Sequence, residues 1–168
     1  MPQPEVWLRG PLPGVPPLFQ PVAHALRQAG EELTVLLTDF PDARLADRPL
    51  GLASVGFHLR HLTGVLDRLA TYARGEALSP AQLAYLAAEE MPPTHPGATA
   101  ELLQAFRQQP EIFITQLKAT PESSLTEPRG VGRAGLPSTV LGLLVHAAEH
   151  TMRHVGQLLV TVRLVRRA

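Results

Sequence analysis

Apolar residues recur every three or four positions in four long stretches of this chain, and this spacing predicts four amphipathic helices. The predicted helices cover about residues 18–37, 52–75, 98–119 and 138–165. Ser54 is the expected N-cap of the second helix, and Pro110 is expected to kink the third because proline removes a backbone hydrogen bond. No segment alternates convincingly at period two, so the pattern predicts an all-α fold, an antiparallel four-helix bundle in one domain over residues 1–168.

The segments between these helices are rich in proline and glycine. Residues 1–16 hold five of the 17 prolines, which predicts an extended N-terminal arm. Trp7 and Leu8 in this arm indicate that it packs on the body or on a neighbouring subunit. Ser79 and Pro80 predict the start of a short extra helix that ends at about Glu90, and residues 120–137 predict a loop.

Composition restricts the chemistry more than it restricts the fold. The chain has no cysteine, which excludes disulfides, thiolate metal sites and cysteine nucleophiles, so nitrogen and oxygen atoms must hold any metal. Lysine plus arginine balance aspartate plus glutamate at 15 each, and we therefore expect no specific nucleic-acid binding. No apolar run approaches the length of a membrane span and the N-terminus lacks a signal-peptide pattern, which predicts a cytoplasmic protein without a membrane partner.

Histidines cluster at two places in the predicted helices. His146, His150 and His154 follow one another at intervals of four in the last helix, and His58 and His61 are three apart in the second. Each cluster therefore lies on roughly one helix face. If the second and last helices are neighbours, His61 completes a three-nitrogen metal site with His150 and His154 and leaves coordination positions open. Burial and mutual repulsion would lower the pKa of these imidazoles and keep them neutral.

More specific metal motifs do not fit the sequence. The string from His146 to His150 matches H-x-x-E-H, but the acidic ligand that such peptidases need downstream is missing. Thr151 stands where a zincin of the His150 and His154 spacing needs its glutamate base. No glutamate has a histidine three residues on, as a di-iron carboxylate bundle requires. Haem ligation by His61 and a histidine of the last helix stays open, although nothing favours it.

The chain resembles the DinB family of DNA-damage-inducible four-helix bundles in two places: His61 followed by Leu62 in the second helix, and the run His146-x3-His150-x3-His154-x-Gly156-Gln157 in the last helix. The resemblance covers about residues 18–165 and implies helices ordered up, down, down, up. It also implies a divalent nickel or zinc ion on the residues matching His61, His150 and His154, and frequent homodimers. Some relatives are transferases or isomerases that use a low-molecular-weight thiol. The usual family string His-Arg-Gly-Gln differs here, because position 155 is valine and the arginine is Arg153.

Four further residues are candidates to support the metal ligands or to line the pocket: His58, His146, Gln157 and Arg153. Arg60 and Arg153 lie where they could contact an anionic substrate group, although both also fit a solvated surface. Gly156 is expected to allow close helix packing. Glu149 either orients a ligand or belongs to the surface. The sequence assigns no catalytic residue beyond the metal ligands.

Three functional hypotheses remain open at this point. The first is a metal-dependent enzyme whose ion activates a water or a thiol against a small-molecule substrate, as a hydrolase or a thiol S-transferase. The second is a non-enzymatic metal-binding bundle with a structural, sensing or interaction role, in which His58 or His146 supplies a fourth ligand. In the third, the histidines hold no metal.

Overall fold

The computed structural model describes residues 3–167, so the first two residues of the predicted arm and residue 168 lie outside it. Within this range it contains four long α-helices, one short α-helix and one two-stranded antiparallel sheet. The long helices are α1 (Gln20–Leu36), α2 (Val55–Ala73), α4 (Ala98–Ala119) and α5 (Val140–Arg167), and the short helix is α3 (Pro80–Ala87). The all-α bundle with a short extra helix is therefore confirmed.

The long helices pack so that α5 and α4 each contact both α1 and α2. Helices α2 and α5 are therefore neighbours, which the three-nitrogen site requires. Leucine and phenylalanine fill the space between the four helices, and the largest of these fully buried side chains include Leu26, Leu33, Leu59, Leu62, Phe106, Phe113, Leu144 and Leu158. The up, down, down, up order of helix directions stays a prediction. Across residues 3–167, no helix combines the length and the hydropathy needed to cross a bilayer.

Capping contacts confirm the two predicted N-caps, Ser54 and Ser79. The Ser54 hydroxyl accepts a hydrogen bond from the Phe57 amide at 3.1 Å, and Ser79 forms a capping box with Gln82 at the start of α3. Helix α3 ends at Ala87, before the predicted end at about Glu90. Helix α4 runs through Pro110 over the predicted residues, and its kink stays a prediction.

The N-terminal arm differs from the extended chain that its prolines predict. Residues Val6–Arg9 form a 3-10 helix that packs on α1. Val6 is buried, and its amide donates to the side chain of Gln28 in α1, whereas Trp7 is 61% exposed. The arm thus packs on the body as expected, but the small Val6 anchors it while Trp7 and Leu8 face solvent.

The prediction of a loop over residues 120–137 is wrong in its second half. Strands β1 (Pro128–Val131) and β2 (Leu136–Thr139) pair antiparallel, with Val131 opposite Leu136, and α5 consequently begins at Val140. The strands carry proline and glycine instead of alternating apolar residues, so the sequence gives no period-two signal. Gly132 and Gly135 close the hairpin, both at positive φ that other residues rarely adopt.

Candidate metal centre

The buried face of α5 determines where its histidines point. The residues that this face buries next to the histidines are Ala147, Ala148, Thr151 and Val155. His150 and His154 lie at the edge of that face and are partly buried. On α2, His58 belongs to the buried face and His61 lies at its edge, with its side chain 18% exposed. The two helices therefore bring the histidines together along the seam where they pack.

His61, His150 and His154 converge as the spacing predicts. Each offers one ring nitrogen to a group in which all three nitrogens lie within 4.8 Å of one another. Nε2 of His61 and Nε2 of His150 are 3.0 Å apart, and the His61 and His154 ring centroids are 4.6 Å apart. A three-histidine group of this size could hold a metal ion.

The surroundings of His58, His150 and His154 lower the pKa of each ring. Burial, together with the positive charge that His61 would carry, lowers the pKa of His150 to about 4 and that of His154 to about 3. The pKa of His58 falls to about 4 for the same two reasons. All three rings are therefore neutral at pH 7, and a neutral imidazole keeps one nitrogen lone pair free for a metal.

The second ring nitrogen of each histidine has a different environment. Nδ1 of His61 lies 2.8 Å from Oε2 of Glu89, and Nδ1 of His154 lies 3.1 Å from Nδ1 of His58. Nδ1 of His150 is buried and has no hydrogen-bond partner among the described residues. His61 and His154 thus use Nδ1 for protein contacts, which leaves Nε2 for the three-nitrogen group.

Glu89 is the residue of this site that the sequence did not single out. It follows α3, is 4% exposed, and accepts a second hydrogen bond at Oε1 from Nη1 of Arg68 at 2.6 Å. Phe57 also contributes, because its ring stacks on that of His61 with centroids 5.3 Å apart. The adjacent Glu90 is exposed, so residue type alone could not have distinguished the two glutamates.

His58 is the predicted supporting residue that touches a member of the three-nitrogen group most directly, through His154. The His146 ring is 5.1 Å from the His150 ring, but its Nδ1 is paired with Glu149 at 2.6 Å and its side chain is exposed. Arg153 is also exposed and pairs with the same Glu149. His146, Glu149 and Arg153 therefore form a surface network beside the site.

The remaining candidates are less directly connected to the three-nitrogen group. Gln157 is exposed, and within residues 3–167 no hydrogen bond joins it to a histidine, so its role stays a prediction. Arg60 packs over the ring of Tyr85 in α3, 5.2 Å from its centroid. The packing role expected for Gly156 is wrong, because a Cβ added there would meet no atom of residues 3–167 within 4 Å.

Comparison with known proteins agrees with this arrangement. A family model described as the DinB superfamily matches residues 25–158, a span that includes both histidine clusters and Glu89. No curated protein matches the chain.

Proposed function

This chain belongs to the DinB superfamily, and we propose that it is a metal-dependent enzyme whose ligands are His61, His150 and His154. We propose nickel or zinc as the ion and a small molecule as the substrate, transformed by hydrolysis or by transfer of a low-molecular-weight thiol. The observation that carries the proposal is the meeting of three imidazoles within 4.8 Å on two neighbouring helices. The superfamily match is the second support.

The donor set fits such an ion. Neutral imidazole nitrogen suits zinc and nickel, and three protein ligands leave a position for water or substrate. The two candidates for a fourth ligand have other partners, since His58 contacts His154 and His146 contacts Glu149. This favours a catalytic ion over a structural one. When bound, the ion supplies Lewis-acid chemistry, lowering the pKa of a water or thiol so that it is a nucleophile at neutral pH.

Thiol transfer is favoured over hydrolysis by the state of the nearby carboxylates. Hydrolysis at a metal site commonly uses a carboxylate as general base, and a base must reach the proton that it removes. Glu89 already accepts hydrogen bonds from His61 and Arg68, and Glu149 from His146 and Arg153. Neither carboxylate is free, whereas a thiol loses its proton readily at a metal and needs less help.

Metal content tests the site. The untagged protein, His61→Ala, His150→Ala and the control His95→Ala would be incubated with nickel or zinc, desalted and analysed by mass spectrometry. His95 is a suitable control because it is an exposed histidine paired with Glu101, and it is not one of the three converging residues. We expect about one ion per chain in the wild type and the control, and none in the two site variants. A wild type that stays empty contradicts the proposal.

Activity tests the reaction class. The nickel- or zinc-loaded protein would be assayed with low-molecular-weight thiols and electrophilic substrates, and in parallel with ester and amide substrates. Removing one ligand of a catalytic metal should abolish turnover, so His150→Ala should be inactive in whichever assay succeeds. A loaded wild type that is inactive in both assays would favour the non-enzymatic metal-binding bundle.

We also propose that the protein is a cytoplasmic homodimer. The exposed Trp7 and Leu8 support self-association, because a solvent-facing tryptophan is more often part of an interface than of a free surface. Light scattering should give twice the chain mass for the wild type. A monomer at all concentrations would contradict the dimer.

A further inference from the structure

We propose that Glu89 is the positioning residue of the three-histidine site, and that with Arg68 it selects the tautomer in which the Nε2 lone pair of His61 faces His150 and His154. This inference rests on the proposed function, because the lone pair matters only if an ion binds there. Glu89 acts through His61 and does not itself reach the group, so it belongs to neither the ligands nor the reacting residues. Such an outer carboxylate commonly orients a ligating histidine.

The hydrogen bonds around Glu89 fix the position of one proton. A carboxylate can only accept, and Oε2 of Glu89 lies 2.8 Å from Nδ1 of His61. In the neutral form of the His61 ring, the single N–H proton must therefore sit on Nδ1. Nε2 then carries the lone pair, and it lies 3.0 Å from Nε2 of His150.

Arg68 supplies the positive charge that the buried Glu89 carboxylate needs. Its Nη1 donates to Oε1 of Glu89 at 2.6 Å, and the side chains of Arg68 and Glu89 are only 9% and 5% exposed. A carboxylate this deeply buried needs a compensating charge, which the guanidinium provides. Because a guanidinium has no acceptor atom, Arg68 also demands an acceptor from whatever residue stands at position 89.

Gly64 provides the space for this contact. It lies in α2 between His61 and Arg68, where a Cβ would come within 2.6 Å of Oε1 of Glu89 and 2.7 Å of Nη1 of Arg68. The same Cβ would lie 2.9 Å from the Tyr85 ring. A glycine inside a helix lowers helix stability, so its presence here has a packing reason. His61, Gly64 and Arg68 share one face of α2, and the segment after α3 packs there.

The isosteric variant Glu89→Gln gives the sharpest test. Glutamine has one acceptor oxygen, and Arg68 can only donate to it, so the amide NH2 must face Nδ1 of His61. That nitrogen then has to accept, which moves the ring proton to Nε2 and blocks the lone pair. Long-range ¹H–¹⁵N NMR on the metal-free protein should show the Nδ1–H form in the wild type and the Nε2–H form in Glu89→Gln. Nickel and zinc affinity should fall about 10- to 100-fold.

A double variant separates positioning from simple loss of structure. In Arg68→Met with Glu89→Gln, the amide oxygen no longer has to face a guanidinium and can accept from His61 instead. The Nδ1–H form should return, and metal affinity should rise above that of Glu89→Gln alone. The control is Glu90→Gln, since Glu90 is the adjacent glutamate, is 61% exposed and pairs only with the exposed Arg48 among the described residues. It should keep both the tautomer and the affinity of the wild type.

The outcomes separate this inference from the proposed function. If the wild type carries the proton on Nε2 of His61, or if Glu89→Gln leaves the tautomer unchanged, Glu89 is not the positioning residue, whether or not the protein binds metal. If the tautomer changes as expected but the wild type binds neither nickel nor zinc, the proposed function is wrong instead. Recovery of the Nδ1–H form in the double variant is the result that a purely structural role for Glu89 does not produce.

Discussion

Two ion pairs in this bundle have nearly the same length and very different surroundings. Arg68 and Glu89 join α2 to the segment after α3 at 2.6 Å, with side chains 9% and 5% exposed. Arg27 and Glu111 join α1 to α4 at 2.7 Å, with side chains 38% and 57% exposed. The first pair has His61 as a third partner, whereas the second has water around it.

Burial therefore determines how strongly each ion pair affects the stability of the fold. A buried pair loses hydration on both charges, and it is tolerated only while both partners and their hydrogen bonds are complete. A solvated pair is screened by water and contributes little whether it forms or not. The buried pair lies directly behind a candidate metal ligand, so its demand for complete partners is also a means of holding that ligand in place.

The largest expected effect is the loss of one buried partner. Glu89→Ala leaves Arg68 as an uncompensated buried charge, which should lower the free energy of unfolding by about 3–5 kcal/mol. Glu111→Ala, the matched change in the solvated pair, should lower it by less than about 1 kcal/mol. Chemical denaturation of the metal-free proteins measures both. Equal losses in the two variants would mean that burial does not distinguish the pairs.

Filling the space beside the buried pair should have the next largest effect. Gly64→Ala places a Cβ within 3 Å of Glu89, Arg68 and Tyr85, so the pair must separate or the ring must move. Such overpacking should lower the free energy of unfolding by about 1–3 kcal/mol. Denaturation measures the loss, and nickel titration should show weaker binding in the same variant. A variant as stable as the wild type would show that the segment after α3 is free to move away.

The surroundings of Gly64 are a feature that the sequence alone does not predict. Both Gly64 and Gly156 are glycines within long helices close to the histidines, and their residue type gives no reason to treat them differently. The sequence predicts a packing role for Gly156, yet Gly64 is the glycine that other side chains enclose. The difference depends on α3, a short element whose position against α2 leaves no periodic trace in the sequence.

The three converging histidines could be predicted because they depend on local spacing and on one assumption, that α2 and α5 are neighbours. Glu89 could not, because it lies outside any regular helix, 28 positions from His61, and is followed by a second glutamate. The hairpin of β1 and β2 was missed for a related reason. Its strands carry proline and glycine, and one of its contacts with the bundle is a hydrogen bond that Arg129 donates to the Ala73 carbonyl at the end of α2.

The third effect in order of size is a loss of protein stability on acidification. The pKa of His58, His150 and His154 is 6.5 for a free imidazole and falls to about 4, 4 and 3 in the fold. Below pH 6.5 the unfolded chain therefore binds more protons than the folded one, so stability is lost as pH falls towards 4. The loss should be on the order of 2 kcal/mol, since solvent screens the partly buried rings of His150 and His154.

Thermal denaturation of the metal-free protein between pH 7 and pH 4 measures this dependence. His58→Leu removes the most deeply buried imidazole and should flatten the curve, whereas His95→Ala should leave it unchanged because His95 is exposed. A flat wild-type curve would contradict the lowered pKa values.

Replacing Gly156 is expected to change stability by a smaller amount and in the opposite direction, as a gain. In the described part of the chain a Cβ there meets no atom within 4 Å, and alanine is the better helix former. Gly156→Ala should therefore raise the free energy of unfolding by about 0.5–1 kcal/mol. The measurement is the same denaturation used for Gly64→Ala. Opposite signs for the two substitutions would separate an enclosed helical glycine from an open one, and a loss of stability at position 156 would point to a contact outside this chain.

The smallest expected effect is the coupling between Arg27 and Glu111. A double-mutant cycle with Arg27→Ala and Glu111→Ala should give about 0.2–1 kcal/mol at low salt, because the pair is solvated. The value should fall further at 1 M salt, where the screening length is about 3 Å. The cycle of Arg68→Met with Glu89→Gln should keep its coupling at high salt, because ions cannot reach a pair that is less than one-tenth exposed. A coupling that survives salt is what a positioning pair requires, since it has to hold His61 in one orientation whatever the ionic strength around the protein.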